Sequence, residues 1–139
     1  MNSFLVAAAG LSALAAFLHV GCIIFGASWY RFFGAGERMA QLAAAGSRFP
    51  TLVTTGIAAV LAVWSLYALS AAGIGPRLPF ARLVLCGVAG VYLVRGLVGF
   101  FLVANPLGRS VAFWLWSSAI CLVIAAVHVV GLWQSWFRL

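Results

Sequence analysis

Four stretches of the chain, about residues 4–26, 51–72, 79–104 and 110–133, each run for more than twenty residues, with Arg82 and Arg95 as their only formal charges. Some twenty apolar residues in a helix rise ~30 Å, the thickness of a bilayer's hydrocarbon layer. Backbone within lipid must satisfy its own hydrogen bonds, so a helix is the form open to each stretch. They take up most of the 139 residues, and too little is left for a soluble domain. The chain is therefore expected to be one all-α membrane domain, an antiparallel four-transmembrane-helix bundle whose first partner is the lipid bilayer.

Composition agrees: 66% of residues are hydrophobic and 6% charged, against about a quarter charged in soluble domains. The opening run "MNSFLVAAAGLSALAAF" lacks the basic start of a signal peptide and stays apolar beyond the usual h-region, so it reads as the first span. The net charge of +7 comes from eight arginines against one glutamate. These arginines are scattered singly over loops and helix ends, with no basic face interleaved with aromatics, so no nucleic-acid partner is expected. They read as headgroup anchors.

The first connection, about 27–50, is long, and the next two are short, which makes the second, third and fourth spans antiparallel neighbours in turn. Pro50 and Pro79 suit the first turns of their spans, where a missing N–H costs nothing. Trp114 and Trp133 are 19 residues apart, about 28 Å along a helix, the spacing of two aromatic belts. Within the first connection, residues 36–45 have the composition of a short helix. Met39, Leu42 and Ala43 would face the membrane, and Arg38 and Gln41 water, so the helix would lie in the interface or cap the bundle.

Orientation stays open. Arg31, Arg38, Arg48 and Arg109 lie on the side of the first connection, here the loop-1 face. Arg77, Arg82, Arg138 and the α-amino group lie opposite, and four against four decides nothing.

Ionisable groups inside spans are costly and so informative. Arg95 lies about four residues beyond the middle of the third span, toward the loop-1 face. Two arrangements are open to it: snorkelling outward to the interface, or turning inward to an anion or carbonyls. His19 lies at a similar depth in the first span, and Thr54, Thr55, Ser117 and Ser118 occupy the same half of the other two. A stripe of Ser12, Ala15, Ala16, His19 and Cys22 and another of Val88, Tyr92, Arg95 and Gly99 recur at helical spacing. Hydroxyls in membrane helices also bond commonly to their own carbonyls.

Glu37 is the only acidic side chain. It suits the first turn of the short helix, where it offsets the dipole, with Arg31, Arg38 and Arg48 as nearby partners. It is also the one side-chain carboxylate on the same side as Arg95. A candidate ligand site therefore comprises Arg95, His19, Glu37, Tyr30, Tyr92, Thr54 and Ser118. No metal or other cofactor is expected. Cys22, Cys86 and Cys121 fall in three different spans without ligand spacing. His128 lies some 13–14 Å from His19 in depth, a poor bis-histidine pair for haem, and is expected to donate one hydrogen bond between helices. No serine or cysteine stands at a base-paired spacing, which leaves nucleophilic catalysis unsupported and the question of an enzyme open.

The runs "SWYRFFGAGERMA", "LYALSAAG" and "YLVRG" resemble a group of small bacterial four-span membrane proteins of uncharacterised function. The resemblance implies the fold and a bacterial inner-membrane address, and no activity. A second resemblance, in length, span number and a basic first connection containing Glu-Arg, is to the trimeric glutathione-transferring MAPEG enzymes. Their Asn and Glu near the second span are absent here, and no catalytic residue carries over.

The function expected from these residues is binding of an amphiphilic or anionic small molecule or lipid in the loop-1 half, with Arg95 taking the anion, His19 exchanging a proton and Glu37 orienting them. The alternatives are an accessory or assembly protein that associates into a homo-oligomer through small-residue faces, or a subunit of a dimeric small-molecule transporter.

Overall fold

The computed structural model describes residues 1–139 and contains six helices and no strand. Four are long and apolar enough to cross a membrane: α1 (Ser3–Phe25), α4 (Arg48–Ala72), α5 (Ala81–Phe101) and α6 (Val111–Ser135). Between α1 and α4 lie two short helices, α2 (Ala27–Phe32) and α3 (Glu37–Ala44). The chain is thus an all-α four-helix membrane bundle with its first connection folded into two helical pieces.

Each boundary has a local cause. Asn2 caps α1 by accepting from the Leu5 N–H at 3.1 Å, and Ser110 caps α6 through the Phe113 N–H at 3.0 Å. Both satisfy donors that a helix start leaves open. Ser47 caps α4, and Pro50 falls in that helix's first turn, where the ring is tolerated. Gly73, at φ 89°, ends α4 in the left-handed conformation, and the Ile74 N–H closes back onto the Leu69 carbonyl at 3.0 Å, as a glycine cap permits. Pro79 departs from expectation. It stands outside α5, because Phe80 adopts a left-handed φ of 56° and acts as the N-cap. The third span is correspondingly shorter than 79–104, ending at Phe101.

The bundle is cyclic. Helix α1 packs mainly on α4 and α5 on α6, while α1–α6 and α4–α5 contacts close the ring. The short α4–α5 connection thus yields a less extensive contact than the long-range α1–α4 pairing. At the face opposite loop 1, Leu5, Ala8, Ala9, Ala68, Ala72, Leu85, Ala89 and Leu132 form one buried cluster drawn from all four spans. At mid-depth Ala16, Leu61, Val88, Tyr92, Ile124 and Ala125 form a second. Alanines and glycines at these crossings let the backbones approach closely: a Cβ on Gly131 would sit 2.8 Å from the Leu5 side chain, and one on Gly96 2.6 Å from Leu122.

Toward the loop-1 face the shared core gives way. The third cluster, Cys22, Tyr30 and Ala40, belongs to α1, α2 and α3 alone. Trp29 packs on Gly21 of α1 and stacks on Phe25, while Phe113 of α6 packs on Gly34. The α2–α3 segment is therefore a cap laid across the end of the bundle. Arg38 and Gln41 point outward, and Ala40 is fully buried. Large apolar residues on the outer faces, among them Phe17, Leu52, Leu83 and Trp133, are 70% or more exposed, a pattern that only lipid makes favourable.

Candidate functional site

Arg95 leaves α5 toward α6. Its Nη2 donates to Ser117 Oγ at 3.1 Å, and its guanidinium lies 5.1 Å from the ring centroid of Trp114. Arg109, in the connection before α6, lies 5.3 Å from the same ring and donates from Nη2 to the Ala35 carbonyl at 3.1 Å. Trp114 is itself buried and donates its indole N–H to the Pro106 carbonyl at 2.8 Å, which holds the ring in place. Two guanidinium groups thus share one aromatic side chain, an arrangement the ring quadrupole favours for each. Burial pushes the Arg109 guanidinium below its ordinary pKa, and the Arg95 charge adds to the shift. Like charges are held close here without an acid between them.

Arg95 Nη1 is buried without an acceptor, and so is the hydroxyl of Ser118 without a partner. Both face Gly99. A Cβ there would collide with Ser118 Oγ and lie 2.9 Å from Arg95 Nη1, so the absent side chain is what admits both groups. Buried polar groups of this kind cost free energy unless satisfied. Arg95 also lines a groove of about 540 Å³ on the membrane-facing side of α5, together with Gly87, Gly90, Val91, Val94 and Val98. A Cβ at Gly87 or Gly90 would meet nothing within 4 Å, so these glycines widen the groove rather than serve packing.

The other candidate residues lie elsewhere. Glu37 is not a partner of Arg95: it forms a bidentate pair with Arg31, Nη2–Oε1 2.9 Å and Nε–Oε2 3.0 Å, with both side chains about half exposed. That hydrogen bond holds the Glu37 carboxyl below its ordinary pKa. The pair borders a crevice of about 290 Å³ with Gly34, Gly36, Arg109 and Ser110. His19 Nδ1 donates to the Ala15 carbonyl of its own helix at 2.7 Å. Tyr30 and Thr54 bond hydroxyl to hydroxyl at 2.9 Å, fastening the cap to α4. Of the seven residues, Arg95 and Ser118 come together at Gly99, and the rest are distributed over four separate contacts.

Tyr92 belongs to a deeper polar cluster. Its hydroxyl is 3.2 Å from Ser12 Oγ, its ring meets Trp64 edge-on at 5.4 Å, and His128 lies 5.6 Å away, centroid to centroid. His128 is fully buried, and its Nδ1 donates to the Ile124 carbonyl at 2.9 Å. The bond runs within α6 rather than between helices, to the carbonyl four residues back. It places the proton on Nδ1 and leaves Nε2 as an unpartnered lone pair.

Ser117, Trp114 and Arg109 are the members of the Arg95 site that were not among the sequence candidates. A signal for them was present: Trp114 and Ser117 stand three residues apart at the depth of Arg95, on one helical face. No family model, curated protein or solved structure matches this chain.

Proposed function

We propose that this small integral membrane protein binds an anionic amphiphile on the outer face of α5. Arg95 takes the anionic group at the Trp114 end, with Arg109 adding charge, and the apolar chain lies along Val94, Val91, Gly90 and Gly87 toward the bilayer centre. One observation carries this reading. An intramembrane arginine lines a membrane-facing groove, its Nη1 has no acceptor in the protein, and the only acidic side chain is engaged with Arg31. Intramembrane charge without a protein counter-ion calls for an external one, and a guanidinium fits a phosphate or carboxylate through paired donors. The resemblance of the first connection supports a bacterial inner membrane as the setting.

The test is native mass spectrometry of protein released from bilayers containing phosphatidylglycerol and phosphatidylcholine. Wild-type protein retains phosphatidylglycerol in preference, Arg95→Gln loses one such lipid, and Gly87→Leu, which has room for its side chain, loses it as well. Equal retention of both lipids by wild type and Arg95→Gln would refute the proposal.

A second reading has one observation in its favour. The open face at Gly87 and Gly90 also suits the close approach of a second copy, giving a homo-oligomer with an assembly role. The same spectra separate the two: Gly87→Leu would convert an oligomer to monomer instead of removing lipid.

A further inference from the structure

A second groove, of about 380 Å³, runs along the α5–α6 seam beside the first and extends nearer the face opposite loop 1. Cys86, Gly90 and Leu93 of α5, Leu132 and Trp133 of α6 and Trp136 at the α6 C-cap line it. Arg82 stands at its end with its guanidinium 4.8 Å from the Trp136 ring. Arg138 lies on the same face, bonded at 3.4 Å to Ser135 Oγ. The single ion pair of the protein is at the other end of the bundle, so no acidic side chain neutralises Arg82.

Helix α5 therefore carries two adjoining apolar grooves, each associated with an arginine packed on a tryptophan at one end of α6. Arg82 and Arg95 are 13 residues apart, about 20 Å between α-carbons, and their side chains reach toward opposite faces. Trp114 near the start of α6 and Trp136 at its C-cap are 22 residues apart, about 33 Å along a helix. The tryptophan spacing matches two interfacial belts, which puts the Arg82 guanidinium, packed on Trp136, near the headgroup level of the leaflet opposite loop 1.

We infer that a second anionic glycerophospholipid seats in the leaflet opposite loop 1, its phosphate on Arg82 beside Trp136 and one acyl chain in the α5–α6 groove. The ligand class follows from the mismatch between the two parts of the site. The groove is hydrocarbon-lined and opens to lipid, whereas its end offers a cation without an acid, and a phospholipid carries both complements. Gly90 lines both grooves, so the two chains, one from each leaflet, pass each other there. The new site stands on Arg82 and Trp136 and not on Arg95, so the two sites can fail separately.

Native mass spectrometry from mixed phosphatidylglycerol and phosphatidylcholine bilayers is expected to show two retained phosphatidylglycerols on the wild type. Arg82→Gln loses one and keeps the lipid of the Arg95 site. Arg95→Gln does the reverse, and Gly90→Leu, whose side chain enters open space, lowers both occupancies. Removing one headgroup cation weakens an anionic lipid by about fivefold or more. Arg77→Gln, an exposed arginine of the same face outside the groove, keeps both lipids. The proposal is overturned if Arg82→Gln retains two phosphatidylglycerols, or if Arg77→Gln loses as much as Arg82→Gln. As a second readout, a phosphatidylglycerol carrying a diazirine on its acyl chain should label the segment around Cys86–Leu93 in wild type and lose that label in Cys86→Phe. Labelling that is unchanged in Cys86→Phe counts against the groove.

Discussion

Gly99 illustrates how much one hydrogen atom decides within lipid. Where α5 and α6 meet near the loop-1 face, it admits the Ser118 hydroxyl and the Arg95 guanidinium to the same place. Gly99→Ala should therefore be destabilised by ~1–3 kcal/mol, the cost of overfilling a packed contact, with the Arg95–Ser117 bond strained by the shift. Ser118→Ala should cost little by comparison, because the hydroxyl it removes has no hydrogen-bond partner. If the clash is the cause, the double variant Gly99→Ala/Ser118→Ala recovers part of the loss, and unfolding curves in mixed detergent give the coupling directly. Gly90→Ala is the internal comparison. With nothing within 4 Å of the new methyl, it should be neutral or slightly stabilising, by up to ~1 kcal/mol.

At the scale of helices, the spans were legible because each must be a helix once it is in lipid. Their ends were legible to within about three residues from where the apolar runs stop, and the caps Ser47, Gly73 and Ser110 fix them in the structure. What hydropathy could not show was α2. Its sequence, "ASWYRF", carries no cap signal and follows Gly26 directly, and it is helical because Trp29 packs on α1 while Tyr30 is buried and bonded to Thr54 of α4. Tertiary contact overrides weak local preference in such short pieces. The Arg31–Glu37 pair joins the last turn of α2 to the first turn of α3 and so holds the cap's internal angle. Its pH dependence has a definite sign. The folded carboxyl titrates below the unfolded value of ~4.3, so its contribution is present above that value and is lost as pH falls through the folded pKa. Followed by carboxyl-carbon NMR, Glu37 should titrate below the ordinary glutamate midpoint, and Arg31→Gln should return it there. An ordinary midpoint in the wild type would mean that the pair does not persist in solution.

For the whole molecule, depth and azimuth were unequally readable. Counting residues placed Arg95, His19, Thr54 and Ser118 in one half of the bilayer, but depth does not say which way a side chain points around its helix. Packing sets that angle. Arg95 turns to α6 because Gly99 and Ser117 receive it there, and His19 bonds back along α1. Glu37 stays at the surface because Arg31, six residues away, offers two donors without desolvation. The same distinction governs how the ring of helices closes. Its closure depends on Asn2, a residue that hydropathy passes over. The Asn2 side chain caps α1 while its Nδ2 donates to the Gly131 carbonyl at 3.1 Å and to Ser135 Oγ at 2.8 Å, and its backbone N–H donates to the Ala72 carbonyl at 3.2 Å. One residue near the start of the chain thereby ties α1 to the ends of α4 and α6, at 5% exposure. Asn2→Ala should cost ~2–3 kcal/mol, more than the ~1 kcal/mol of an exposed cap, since it also removes the buried hydrogen bonds to the Gly131 carbonyl and the Ser135 hydroxyl. Asn2→Ser restores the cap alone and should recover only the smaller part. Hydrogen exchange should locate the remaining loss at the ends of α1, α4 and α6, while the α2–α3 cap keeps its wild-type protection. A uniform loss of protection along the whole chain would show instead that the ring has no local closing point.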